Sequence, residues 1–338
     1  MNINKCLQMR NYFIAISLLL SLHLFAQTPT PESLGLRHLQ TIYQNDTVDI
    51  LIKSKKGDEL KPKPVFLFIQ GSLPKPLIIV YDTTHAYQVF PFKLDSMLEK
   101  YHVAIIGKPY IPLVVNQNEL TKTNYVDPAT KEFPAAYTKR NYPGYYVQRD
   151  KVVIRFLQKQ SWVTKNKFVV AGHSEGSTVA AKLASISKEV TQLIYLSGNP
   201  FGRILSMIEE SRSKETNANM LAENNFTYWE RVVDSPNDMN DKGDTHKATY
   251  DFSFPSIEYL KRLSIPVLVA YGTKDYCSPY NDLLRVEMMR SKKNNFTFKA
   301  YIGLEHNFFP LDKNGMPDYD IYNWDKIGED IYQWLISQ

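Results

Sequence analysis

The sequence predicts an α/β fold, a mostly parallel twisted sheet with helices on both faces, and three observations carry that reading. Short apolar runs such as "VFLFI", "HVAII" and "VLVAYG" are bounded by proline, glycine or charge, as in strands buried on both sides. Segments of helical spacing alternate with them, the order that builds parallel sheets. The 338 residues, 43% hydrophobic and 22% charged, suit one large core and are too apolar for a disordered chain.

The first segment, "MNINKCLQMRNYFIAISLLLSLHLFAQTPT", sets Lys5 and Arg10 before an apolar run over 13–25 and Ala26 after it. This is the layout of a secretory signal peptide cut after Ala26. Residues 1–26 would leave, and 27–338 would form one domain, secreted or periplasmic and with no stable membrane association. Leu24 is bulky for its place two residues before the cut, so an uncleaved anchor is the alternative. Cys6 precedes the apolar run, and processing leaves Cys277 as the lone thiol, which excludes a disulfide framework and a cysteine zinc site. The formal charge of +5 includes Lys5 and Arg10. The other basic residues are interspersed with acidic ones, which argues against nucleic-acid binding.

Beyond a polar lead, "TVDILIKSK" alternates like an exposed strand and "KPKPVFLFIQGS" reads as a buried one. A helix over "PFKLDSMLEKY" and a strand over "HVAIIGKPY" follow, then a loop-rich stretch over 111–144. In "YYVQRDKVVIRFLQKQSW", Val147, Val152, Val153, Phe156 and Leu157 share a helical face. Next come a strand in "KFVVAGHSEG", a small-residue helix "STVAAKLASIS" and a strand "QLIYLSG". A polar and aromatic insertion over about 199–263 precedes the strand "PVLVAYGTKD". Between two core strands it would form a cap over the strand ends, where such sheets bind ligands. The chain closes with a helix around "YNDLLRVEMMRS", a strand "FTFKAYIG" and an amphipathic helix "WDKIGEDIYQWLIS".

The chemistry centres on "FVVAGHSEGST". A serine hydroxyl is a weak nucleophile at neutral pH and counts only with a base, an acid and an oxyanion site. Here a β-branched strand runs into Gly172-His173-Ser174-Glu175-Gly176 and a small-residue helix follows. That context puts Ser174 on a sharp strand-to-helix turn, the two glycines removing side chains that would clash.

This order of elements resembles the α/β-hydrolase family from about Val48 to the C-terminus. In that family nucleophile, acid and base follow one another along the chain. The resemblance implies Asp275, in "VLVAYGTKDYCSP", as acid and His306, in "FKAYIGLEHNFF", as base. Asp275 also suits a helix cap, with Asp234, Asp238 and Asp251 as alternative acids; His306 also suits a surface loop, and His173 is too near Ser174 in sequence to be its base. The family's oxyanion donors would be the backbone N–H of Glu175 and one from "FIQGSLPKP", at Ser72 or Leu73, where Gly71 permits close approach. The Glu175 carboxylate either repels acidic substrates or holds a substrate ammonium, or simply suits a helix start. Tyr110 and Phe308 are candidate substrate contacts. Trp229, with Phe226, Tyr228, Tyr250 and Phe252, lines either a pocket or the insertion's own core.

The leading expectation is a serine hydrolase cleaving a carboxylic ester, with no metal or organic cofactor and a small ester or short peptide as its partner. A small cap-gated aminopeptidase or other acyl hydrolase is the alternative within that class. A non-catalytic binding protein on the same scaffold, or a transferase or lyase relative, lies outside it.

Overall fold

A computed structural model describes residues 29–82, 85–88, 90–216, 218–240 and 243–338; the expected signal peptide lies outside them. Eight strands form the central sheet: β1 (Leu36–Tyr43), β2 (Asp46–Lys53), β3 (Lys63–Ile69), β4 (His102–Ile106), β5 (Val163–His173), β6 (Gln192–Leu196), β7 (Val267–Gly272) and β8 (Phe296–Tyr301). Their order across the sheet is β1-β2-β4-β3-β5-β6-β7-β8. The β1–β2 hairpin and the β2–β4 pair are antiparallel, and every pair from β4 to β8 is parallel.

Period-2 burial divides the core between the two faces. Val65, Leu67 and Ile69 of β3 join Val170 of β5 and Val269 of β7 on one side, while Phe66, Phe68, Val169, Ala171 and Ala270 pack on the other. Helix α1 (Asp95–Lys100) covers the second side, and α2 (Pro143–Gln158) and α3 (Glu175–Ile186) the first. On α2 the buried positions include Val147, Val153, Ile154 and Leu157, whereas Val152 and Phe156 are half-buried, so the apolar stripe is rotated slightly from the expected one.

Between β6 and β7 the described residues form four helices: α4 (Arg203–Arg212), α5 (Leu221–Asp234), α6 (His246–Phe252) and α7 (Ile257–Leu260). Ile204 and Ile208 of α4 form a small separate core with Ala222 of α5, against which Trp229 packs. After β7, α8 (Ser278–Arg290) returns to the first face. The last helix, α9 (Trp324–Ser337), buries Ile327, Ile331 and Leu335 on the second, as its spacing predicts.

Two expectations change. The strand read as exposed, β2, is largely buried because β1 covers one edge and β4 the other. The polar lead holds β1, whose partly exposed pattern hides it from a hydrophobicity reading. Among the described residues no helix is long and apolar enough to cross a membrane.

Candidate active site

Strand β5 ends at His173, and Ser174 takes φ 56° and ψ −124° before α3 begins at Glu175. This conformation is costly for a residue with a side chain, and the surroundings enforce it. Ser174 N–H donates to Leu196 O at 2.9 Å, tying the turn to β6. A Cβ on Gly172 would stand 2.1 Å from Gly176 O, and one on Gly176 would stand 2.3 Å from Ile69 O. The turn therefore closes only with glycine at both positions.

His306 and Asp275 come from loops at the same end of the sheet, after β8 and β7. His306 Nε2 lies 2.8 Å from Ser174 Oγ, and His306 Nδ1 lies 3.0 Å from Asp275 Oδ2. The other Asp275 oxygen accepts the Cys277 N–H at 2.9 Å. The Asp275 side chain is fully buried, while that of His306 is 29% exposed and so reachable from solvent. Burial alone would lower the His306 pKa. The adjacent Asp275 charge and hydrogen bond, assisted by Glu305 and Glu210, outweigh it and raise the value above the ordinary one.

His173 is too close to Ser174 in sequence to serve as its base, but it acts on the loop that carries His306. Its Nε2–H donates to the His306 carbonyl at 3.0 Å, and its ring packs edge-on against Trp324. Burial and the neighbouring His306 push its pKa down to about 3, so the ring is neutral and fixed as a donor. Strand alternation explains the division of labour: neighbouring residues point to opposite sides.

Ser174, Asp275 and His306 line a cavity of about 420 Å³ with Ser72, Thr178, Ser197, Asn199, Arg203, Ser206 and Phe252. Glu175, the first residue of α3, lines it, and its backbone N–H has no partner inside its own helix. A Cβ on Gly71 would come within 3.3 Å of Ser174 Cβ, so the loop after β3 passes beside Ser174 and brings Ser72 to the cavity. Leu73 does not line it; this residue sits at φ 79° with its side chain partly exposed.

Other expected contacts fall elsewhere. Tyr110 is 52% exposed, and its hydroxyl donates to Asp46 Oδ1 at 2.6 Å, beside the β1–β2 turn. Trp229 stacks on Tyr250 at 5.9 Å in the insertion's own core. Phe308 is fully buried beneath the site, between Tyr301 and Trp324. Large aromatic area drew all three inward or sideways; of the insertion aromatics, Phe252 reaches the cavity. Asp234, Asp238 and Asp251 do not line it, and Asp251 pairs with Lys247.

The Glu175 carboxylate is engaged. It accepts from Lys108 Nζ at 3.3 Å and pairs closely with the Arg203 guanidinium, all three groups being mostly buried. It is therefore not free to receive a substrate ammonium. Sequence reasoning missed both partners, which lie 67 and 28 residues away; the buried-strand end at "GKPY" offers the one hint, a lysine where apolar residues dominate. Asp275, Cys277 and His306 place possible metal-ligand atoms within 4.8 Å of one another. Their hydrogen bonds already occupy that arrangement, and burial pushes the Cys277 thiol away from the thiolate a metal needs.

No family model matches the chain and no curated protein matches it by sequence. Solved structures do. Est1E from Butyrivibrio proteoclasticus with ferulic acid bound is similar over 89% of this chain and 98% of its own, at 14% identity and a TM-score of 0.55. A 2,6-dihydroxy-pseudo-oxynicotine hydrolase is similar over 89% of this chain and 68% of its own, at 14% identity and a TM-score of 0.54. The fold is that of the α/β-hydrolases. An acylaminoacyl peptidase from Pyrococcus horikoshii shares this α/β-hydrolase fold at 13% identity and a TM-score of 0.50, over 80% of this chain but 37% of the peptidase.

Proposed function

We propose that the protein is a serine hydrolase that cleaves a carboxylic ester through an acyl-enzyme on Ser174. The observation that carries this reading is the unbroken Ser174–His306–Asp275 hydrogen-bonded chain, with Ser174 held at a strained turn facing the cavity. In the first half-reaction His306 Nε2 takes the Ser174 proton as Oγ attacks the carbonyl carbon. The oxygen gains negative charge beside the Glu175 N–H and the Ser72 segment. His306 then returns the proton to the departing alkoxide, releasing the alcohol. Water repeats the sequence against the acyl-enzyme and frees the acid, with Asp275 holding the imidazole tautomer and stabilising its cation throughout.

The ferulic acid held by Est1E, a carboxylic acid, supports an ester as the bond cleaved. Helices α4 to α7 act as a cap in this reading, since Arg203, Ser206 and Phe252 belong to them and line the cavity. Export with removal of residues 1–26 is part of the same proposal and rests on the sequence layout.

The test is intact mass after treatment with a fluorophosphonate, using wild-type, Ser174→Ala and His306→Ala proteins. One adduct on wild-type Ser174 and none on either variant supports the mechanism. An unlabelled, folded wild-type protein overturns it in favour of a binding role.

A further inference from the structure

The cavity that Ser174 faces has polar and apolar wall in similar measure, and the charges among its lining residues are unequal. Glu175, Glu210, Asp275 and Glu305 line it, and Arg203 is the one Lys or Arg among the described lining residues. Arg203 is already committed to Glu175 and Asp244, so its charge is balanced before any ligand arrives. Asp275 is committed to His306. Two carboxylates remain. Glu305 takes only backbone N–H groups, from Asn307 at 2.8 Å and Phe309 at 3.0 Å. Glu210 meets Lys214 in a pair that is half exposed on both sides, an arrangement that holds a carboxylate weakly.

Helix α4 presents Arg203, Ser206 and Glu210 at i, i+3 and i+7, one stripe turned toward the cavity, while Ile204 and Ile208 anchor its neighbouring face. An independent feature lies on the floor. Ser197, 1% exposed and at φ 46°, lines the cavity, and its buried Oγ has no hydrogen-bond partner among the described residues. Such a group normally meets something, and a hydroxyl can accept from a charged donor.

Building on the hydrolase reading above, we infer that the substrate is an ester of a small acid bearing a cationic amine, held between Glu210 and Glu305 with Ser197 as a further acceptor. A negative, partly enclosed cavity concentrates cations and disfavours a carboxylate-bearing acyl group. The reaction remains acyl transfer to Ser174 and then to water, with the amine as a spectator that positions the carbonyl.

Two readouts test this. In the first, butylammonium and butanol are compared as protectants against fluorophosphonate labelling of Ser174; butylammonium should slow wild-type labelling at least tenfold more than butanol at equal concentration. Protection should fall to parity in a Glu210→Gln/Glu305→Gln protein, in which the glutamine oxygen can still accept the Asn307 and Phe309 N–H groups. In the second, pH-stat rates compare the ethyl esters of alanine, N-acetylalanine and butyric acid, with alanine ethyl ester at least tenfold ahead in kcat/KM. Equal protection by butanol, protection that survives the double substitution, or hydrolysis of the acetylated or butyryl ester at least as fast overturns the amine assignment. An enzyme labelled at Ser174 that hydrolyses none of the three esters also counts against it while leaving the hydrolase reading intact; an unlabelled protein removes both.

Discussion

At the scale of single residues, the three side chains of the proposed triad should fail together. Ser174→Ala, His306→Ala and Asp275→Asn are each expected to lower kcat by about 10³-fold or more, with melting temperatures near wild type, because each removes one part of a unit. A Ser174→Ala protein of normal activity would exclude the mechanism. The pH profile carries a second expectation. His306 must be neutral to accept a proton, and its pKa is raised, so kcat/KM should climb with pH through a midpoint above the ordinary histidine value. Removing the Asp275 charge destabilises the imidazolium, lowers that pKa and lets the neutral form persist to lower pH. The acid limb of the residual Asp275→Asn activity should therefore move toward acid; a limb that stays put means another group governs it.

At the scale of elements, the turn from β5 to α3 is set by backbone packing more than by any side chain. Gly176→Ala drives a Cβ against Ile69 O and should cost more than about 3 kcal/mol in urea unfolding, with loss of fluorophosphonate labelling. Gly57→Ala, at φ 84° in open space, gives the comparison: a positive-φ strain of about 1 kcal/mol and no loss of labelling. Equal costs at the two sites would mean that the turn can relax. This element was legible because glycine spacing, an apolar strand and a small-residue helix all bear on one local geometry. The α4 stripe was not: Arg203, Ser206 and Glu210 face the cavity only because Ile204 and Ile208 dock on α5, and that docking partner is not evident from α4 alone. The three misplaced aromatics have the same cause. Hydrophobic area says that Tyr110, Trp229 and Phe308 seek contact, and it leaves the direction of that contact open.

For the whole molecule, the alternation of buried strands and amphipathic helices foretold the sheet from β3 to β8 and the closing helix α9, since period 2 and period 3.6 are both local signals. The antiparallel edge was harder to read, because β1 is half-polar and β2 owes its burial to neighbours distant in sequence. The proposed export makes a whole-chain prediction: protein recovered from the periplasm of a bacterial host should have a mass lacking residues 1–26, and a full-length mass there would indicate a retained anchor. The buried Cys277 has one more consequence. The residue is 3% exposed, its thiol is pushed away from ionisation by burial, and it adjoins the loop that holds Asp275. Cys277 also lines the cavity, so a disulfide reagent that trapped it faster on opening of that loop would time the movement of the segment that carries Asp275. Comparing that rate with global unfolding would tell whether the catalytic end breathes separately from the sheet beneath it.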